Sequence, residues 1–373
     1  MTLRSLFEIS HGNRTPILAM EGMRGVAVVL VFFVHFVTLT EGWVLAGSAT
    51  ESVAWALRRF GNTGVDLFFV LSGFLIYGTL IERSRPFIGF MRRRLVRIYP
   101  TFLVVFAVYI VLSVLRPDRS RIPEEALAAS VYVVQNLLLL PGIFDIEPII
   151  TVAWSLSYEV FYYLLIPVVI GLLGLRRWSR SARVIFFSVA AALWLLVSDQ
   201  LTGDSIRLVM FVAGILLKEA MDAGLGRRAG PLGAPAMILT VLAVLVGDHH
   251  GLGGQWRFMS LFIGYFTLCL AAFGSDSATS RLLSWAPLRW LGNMSYSYYL
   301  LHGLVLVVLA VPLGALMDDS PFGTAAFWWL LAPAFLATLV PSALLFVFVE
   351  RRFSLHAKGS GPVPKPAGAL ERP

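Results

Sequence analysis

Cysteine and charge are what this sequence has least of. One cysteine, Cys269, occurs in 373 residues, so no disulfide framework can form within the chain and no cysteine-based metal site can be assembled. Charged residues make up only 14% and hydrophobic residues 58%, with a mean hydropathy of +0.78. That balance excludes a water-soluble globular domain. The sequence shows neither heptads nor internal repeats, which argues against a coiled coil or a solenoid. Residues 1–20 are polar and the first apolar run is long enough to stay as an anchor, so no cleavable signal peptide is expected. No metal site is expected either: His249 and His250 form a loop pair with only Asp248 beside them. The net charge of +8 does not imply a nucleic-acid partner, because the basic residues lie in loops between apolar runs and form no basic domain.

What the chain does have is apolar runs of spanning length from end to end, so an all-α polytopic membrane protein is expected. Candidate segments fall near 25–43, 64–81, 98–115, 125–140, 156–174, 184–198, 205–220, 233–247, 258–274, 293–316 and 326–349. The run 125–140 is short, follows Glu124 and includes Glu125, Gln135 and Asn136. If it spans, the basic loops near 90–97 and 176–183 fall on opposite sides and the positive-inside bias collapses. If it is an interfacial or re-entrant helix, ten transmembrane helices remain. Only Arg58, Arg59, Arg116, Arg119, Arg121, Arg207 and Arg257 are then extracytoplasmic, leaving 23 of the 30 Lys and Arg inside. The expectation is therefore ten spans with both termini cytoplasmic: a cytoplasmic segment 1–17, a membrane domain 18–353 and a Pro/Gly-rich disordered tail 354–373.

Ionisable residues inside such segments are costly and usually face the bundle interior or a wet cavity. The stretch Met20–Phe36 holds two, Arg24 near its start and His35 eleven residues on. They are about 16 Å apart along a helix and on nearly the same face. His35 is either a structural histidine bonded to a neighbouring helix or a working base. Asp66 opens the second helix, where it either complements the helix dipole or orients an imidazole or a substrate hydroxyl. Ser72 and Gly73 suit close helix packing. Arg92, Arg93, Arg94 and Arg97 exceed what topology needs and suit phosphates. Glu159 enters a helix beside Trp154 and Ser155, on the same side as His35. Ser295, Tyr296, Ser297 and His302 add polarity to a late helix that, taken alone, would serve packing.

In combination these stretches resemble the integral-membrane acyltransferase-3 family. The resemblance rests on Glu21-Gly22-Met23-Arg24-Gly25 followed by His35, on GVDLFFVLSGFLI (64–76) and on RRRLVRIYP (92–100). It continues through Trp154, Ser155, Leu156, Glu159, Tyr162 or Tyr163 and Pro167, then Gly292, Ser295, Tyr296, Ser297, Tyr299, Leu300 and His302. It runs in order from about residue 18 to 353; Glu21 stands where Asp is common and Met23 where Leu is common.

The resemblance implies a membrane O-acyltransferase of the bacterial cytoplasmic (inner) membrane. Its expected partners are the lipid bilayer, acyl-CoA as donor (most often acetyl-CoA) and a glycan or glycolipid acceptor of the cell envelope, such as O-antigen lipopolysaccharide or an exopolysaccharide. A fused esterase-like domain is not expected. On this reading Arg24 and the cluster Arg92, Arg93, Arg94 and Arg97 hold the donor, while His35 is the general base or carries the acyl group as a relay. Glu159 or Asp66 orients the imidazole or the sugar, and Trp154, Ser155, Tyr296, Ser297 and His302 bind substrate or pack. Acylation of a secreted small molecule such as a macrolide is an alternative. A transporter is another, although paired broken helices in two halves are missing.

Overall fold

The computed structural model describes residues 3–9, 16–197, 203–249, 254–317 and 323–355. Its elements are helical: α1 (Leu3–Phe7), α2 (Leu18–Thr40), α3 (Ala49–Gly61), α4 (Gly64–Glu82), α5 (Phe87–Leu115), α6 (Ala126–Leu137), α7 (Trp154–Leu172) and α8 (Arg180–Val197). They continue with α9 (Val209–Asp222), α10 (Gly226–Ala229), α11 (Gly233–His249), α12 (Gly254–Gly274), α13 (Ala278–Leu283), α14 (Ala286–Asn293), α15 (Ser295–Met317) and α16 (Gly323–Leu345). The last helix runs on into a π-helical stretch, Phe346–Leu355. The all-α polytopic architecture is thus established. The tail expected at 354–373 lies, beyond Leu355, outside the described residues, and so does His250.

Among the described residues nine helical stretches are long and apolar enough to cross a membrane. The remaining expected span, 205–220, forms a 3₁₀ turn, Gly203–Leu208, followed by the 14-residue α9. This helix carries Lys218 and Glu219, yet Val209, Met210, Ala213 and Leu217 are fully buried. Other helices enclose it, so its polar groups are satisfied by protein and not by lipid. The weak run 125–140 becomes α6, 12 residues and about 18 Å long, too short to span. Exposed Val104, Val108, Val111 and Val114 on α5, and Ile185, Val189, Leu193 and Leu196 on α8, form an apolar outer surface of the kind a lipid bilayer covers.

The short helices α1, α10, α13 and α14 and the longer α3 have no counterpart among the expected segments. The residues between the first two apolar runs form α3, amphipathic and packed on α2. Ser48 caps it by accepting from the Glu51 backbone N–H, and the Glu51 carboxylate reaches back to the Gly47 N–H at 2.6 Å. That Ser-x-x-Glu spacing is a helix-start signal.

The loops gather at two opposite ends. At one end Lys218 pairs with Glu82, Arg183 with Glu219, Arg289 with Glu21 and Arg97 with Glu350. At the other, the Leu45 N–H donates to Thr324, Trp328 donates to Thr50 and Arg207 donates to Asn62. The loops that the charge count puts on one side are joined at one end.

Candidate active site

The position of Arg24 is set by glycines. A Cβ at Gly22 would lie 1.7 Å from the Leu283 carbonyl oxygen, and one at Gly292 would lie 1.7 Å from the Glu21 carbonyl oxygen. Only glycine lets α2 approach the α13–α14 hairpin this closely. The contact brings Glu21 to α14, where its carboxylate accepts from Arg289 at 2.9 Å and from Asn293 at 3.5 Å. The carboxylate one turn from Arg24 is therefore engaged elsewhere. Among the described residues Arg24 has no hydrogen bond and no carboxylate within 4 Å; it lies in the electrostatic field of Arg97, Glu159, Glu21 and Tyr163.

Arg24 faces a cavity enclosing about 900 Å³ of empty space, part of it open to the outside. The wall is built from Arg24 of α2; Phe68, Phe69, Ser72 and Leu75 of α4; Arg94, Arg97 and Ile98 of α5; Ser155, Glu159 and Tyr163 of α7; and Ser295, Tyr296 and Tyr299 of α15. Gly73, next to Ser72, is where α4 meets the backbone of Phe211 in α9, the close packing that its sequence suggested. Ser72 itself turns the other way and donates to Glu159 at 2.8 Å, as Tyr163 does at 2.5 Å.

The basic cluster divides. Arg92 and Arg93 are exposed, while Arg94 and Arg97 turn inward. Arg97 donates to Glu350 at 2.6 Å; that fully buried carboxylate also accepts from the Ser297 N–H at 3.1 Å and its hydroxyl at 2.5 Å. Arg94 lies against the Phe90 and Tyr163 rings, and its buried Nε has no hydrogen-bond partner among the described residues. With Arg97 neutralised by Glu350, Arg24 and Arg94 remain against Glu159, so the cavity suits an anion.

Asp66 and Glu159 were the expected partners of the His35 imidazole, but among the described residues no hydrogen bond joins either to it. Asp66 is fully buried and accepts from Arg207 at 2.8 Å, and Arg207 sits over Trp154 and Phe258. Trp154 thus supports that ion pair and is not in the cavity wall. What meets His35 is His302. Their ring centroids are 4.9 Å apart, with the planes at 64°. His302 is fully buried and stacks on Tyr298. The two histidines lie behind the cavity wall at Tyr299, whose ring is 6.1 Å from that of His302 and 6.1 Å from that of Phe68. The Tyr299 hydroxyl is anchored to Ser155 at 2.6 Å and to the Val152 carbonyl at 3.0 Å.

Sequence reading thus found Arg24, Arg94, Arg97, Ser155, Glu159 and Tyr296 of the wall. Glu350 and Arg207 were missed. Glu350 has a visible sign, an acid that closes the last apolar run just before two arginines. Arg207 is an arginine inside an expected span.

A family model described as an acyltransferase domain matches residues 17–347. The chain belongs to the acyltransferase-3 family. Curated relatives include the O-acetyltransferase OatA of Staphylococcus aureus, 28% identical over 77% of this chain and 50% of the relative. The peptidoglycan O-acetyltransferase OatA of Listeria monocytogenes is 24% identical over 91% of this chain and 56% of the relative. The chain therefore spans about half the length of these relatives. No solved structure matches.

Proposed function

We propose that this protein is a membrane O-acetyltransferase. On this reading it takes an acetyl group from acyl-CoA on the cytoplasmic side and delivers it to a hydroxyl of a cell-envelope glycan on the far side. The observation that carries the donor half is the pair of arginines that form no salt bridge among the described residues, Arg24 and Arg94, in a cavity wall shared by five helices. An unpaired arginine facing a cavity inside a membrane protein is expensive, and a phosphate-bearing ligand supplies the missing counter-charge through forked hydrogen bonds. The acceptor half is supported by the relatives, which act as O-acetyltransferases and, in Listeria, on peptidoglycan.

Arg24 and Arg94 bind the anionic part of the donor and aim its thioester toward Tyr299. Glu159, held by Ser72 and Tyr163, keeps a fixed acceptor of hydrogen bonds in the cavity and positions a hydroxyl. His35 accepts the proton of the attacking hydroxyl. The acyl carbon then exchanges its bond to sulfur for one to oxygen, and the leaving thiolate takes the proton back from His35. The base is thereby restored, and no proton is gained or lost.

The test is His35→Ala in the producing cell, read as alkali-released acetate and by mass spectrometry of the envelope glycan. General-base catalysis contributes about 10²–10⁴-fold, so the acetyl increment is expected to fall at least a hundredfold while the protein stays in the membrane. Wild-type acetylation in this variant overturns the base assignment. An envelope that carries the same acetyl groups with and without the protein overturns the function.

A further inference from the structure

The imidazole of His302 is a buried polar group that the mechanism above leaves unused. One of its nitrogens is already assigned by geometry. Nδ1 lies 2.9 Å from the Tyr298 carbonyl oxygen. A carbonyl can only accept, so Nδ1 carries the proton. In the neutral ring Nε2 then bears the lone pair. Among the described residues this buried Nε2, on a residue with 0% exposure, has no hydrogen-bond partner. A buried acceptor left alone is costly, so such a position is held for a partner that is present part of the time.

We infer that His302 is a positioning residue for His35: its fixed Nε2 lone pair accepts the N–H of His35 and so selects the tautomer whose other nitrogen is free to act as base. This rests on the reading of His35 as the base. The centroid distance of 4.9 Å is short enough that turning the His35 ring brings two nitrogens to about 3 Å. His302 cannot turn as easily, because it is bonded at Nδ1 and stacked on Tyr298 at 5.1 Å and 7°; its neighbour Tyr298 is in turn hydrogen-bonded to Thr338 at 2.9 Å. His35 is partly exposed and, among the described residues, no hydrogen bond fixes it. One ring is therefore fixed and the other movable.

The bond grows stronger when it is needed. Before transfer it joins two neutral rings. Once His35 has accepted the hydroxyl proton, the same N–H belongs to an imidazolium, and the bond becomes charge-assisted. His302 then stabilises the cation formed on His35, as a carboxylate does in a hydrolase triad. It does so without bringing a second charge into the membrane, where an additional carboxylate would need its own partner.

Full-length protein is tested in detergent and in cells with His302→Leu and His302→Gln. Leucine removes the acceptor, whereas glutamine can place its carbonyl oxygen near the Nε2 position. Expected for His302→Leu is a fall in envelope acetylation of about a hundredfold, with acetyl-CoA affinity within twofold of wild type and no loss of thermal stability. His302→Gln should regain activity to within about tenfold of wild type. Equal losses in both variants, or a parallel loss of acetyl-CoA affinity, overturn the acceptor role. Full activity in His302→Leu beside an inactive His35→Ala overturns this inference alone; an active His35→Ala overturns the base reading itself. A measurement on the unsubstituted protein stands apart from folding of the variants. Nitrogen-15 spectra of histidine-labelled protein, with His302 assigned from its missing signals in His302→Gln, should show a protonated Nδ1 and a bare Nε2. A protonated Nε2 overturns the proposal.

Discussion

At the scale of single residues, the four arginines near the start of α5 separate by burial and not by identity. Arg94 and Arg97 face the cavity, but Arg97 is held by Glu350. Arg92 and Arg93 are exposed, where arginines attract anionic headgroups. Arg24→Gln and Arg94→Gln should each weaken acetyl-CoA binding about 10- to 100-fold, the worth of one charge-assisted hydrogen bond of about 1.5–3 kcal/mol. Arg92→Gln and Arg93→Gln should leave the dissociation constant within about threefold. Titration of the purified variants with acetyl-CoA checks the contrast, and equal effects from all four would assign donor binding to diffuse charge.

At the scale of elements, two contacts set the site. The first is the crossing of α2 with α14. Gly292→Ala would place a methyl 1.7 Å from the Glu21 carbonyl oxygen, so the helices must part. An overpacking cost of about 1–3 kcal/mol or more is expected, seen as a lower thermal midpoint together with weaker donor binding, because Arg24 moves with α2. Gly303→Ala, where a Cβ meets nothing within 4 Å, is the control and should change neither. The second contact joins α5 to the π-helical stretch Phe346–Leu355. A π-helix is rare and is often found at functional sites; here it presents Glu350 to Arg97 and Ser297. Glu350→Gln keeps the acceptor for Ser297 but removes the charge. With Arg97 only partly buried, the loss is set at about 1–3 kcal/mol, measured as thermal unfolding in detergent; an unchanged midpoint would remove the clamp from the account.

At the scale of the whole molecule, orientation in the membrane can be read with the native cysteine left in place. Cys269 is fully buried and should not react with a membrane-impermeant maleimide. Arg93 and Arg119 are exposed at opposite ends of α5 and its following loop. Arg119→Cys should be labelled in intact cells, and Arg93→Cys only after the membrane is opened. The reverse pattern inverts the bundle, and with it the assignment of donor and acceptor sides.

The sequence alone determined the membrane class, nearly all the spanning segments, the short status of the helix near 125–140 and several polar residues of the cavity wall. These depend on local chemistry: an apolar run of spanning length must become a helix in lipid, and a polar residue within it must face protein. The sequence did not place α3, because a polar amphipathic helix leaves no hydropathy signal, although its Ser48–Glu51 cap was readable. Only the tertiary structure decided pairings. Asp66 went to Arg207, Glu21 to Arg289, Arg97 to Glu350 and His35 to His302, over separations of 141, 268, 253 and 267 residues. A one-dimensional pattern can say that a charged or polar group inside the membrane needs a partner. It cannot say which, because the choice depends on how closely helices approach, and that is set by glycines and side-chain volumes on several helices at once.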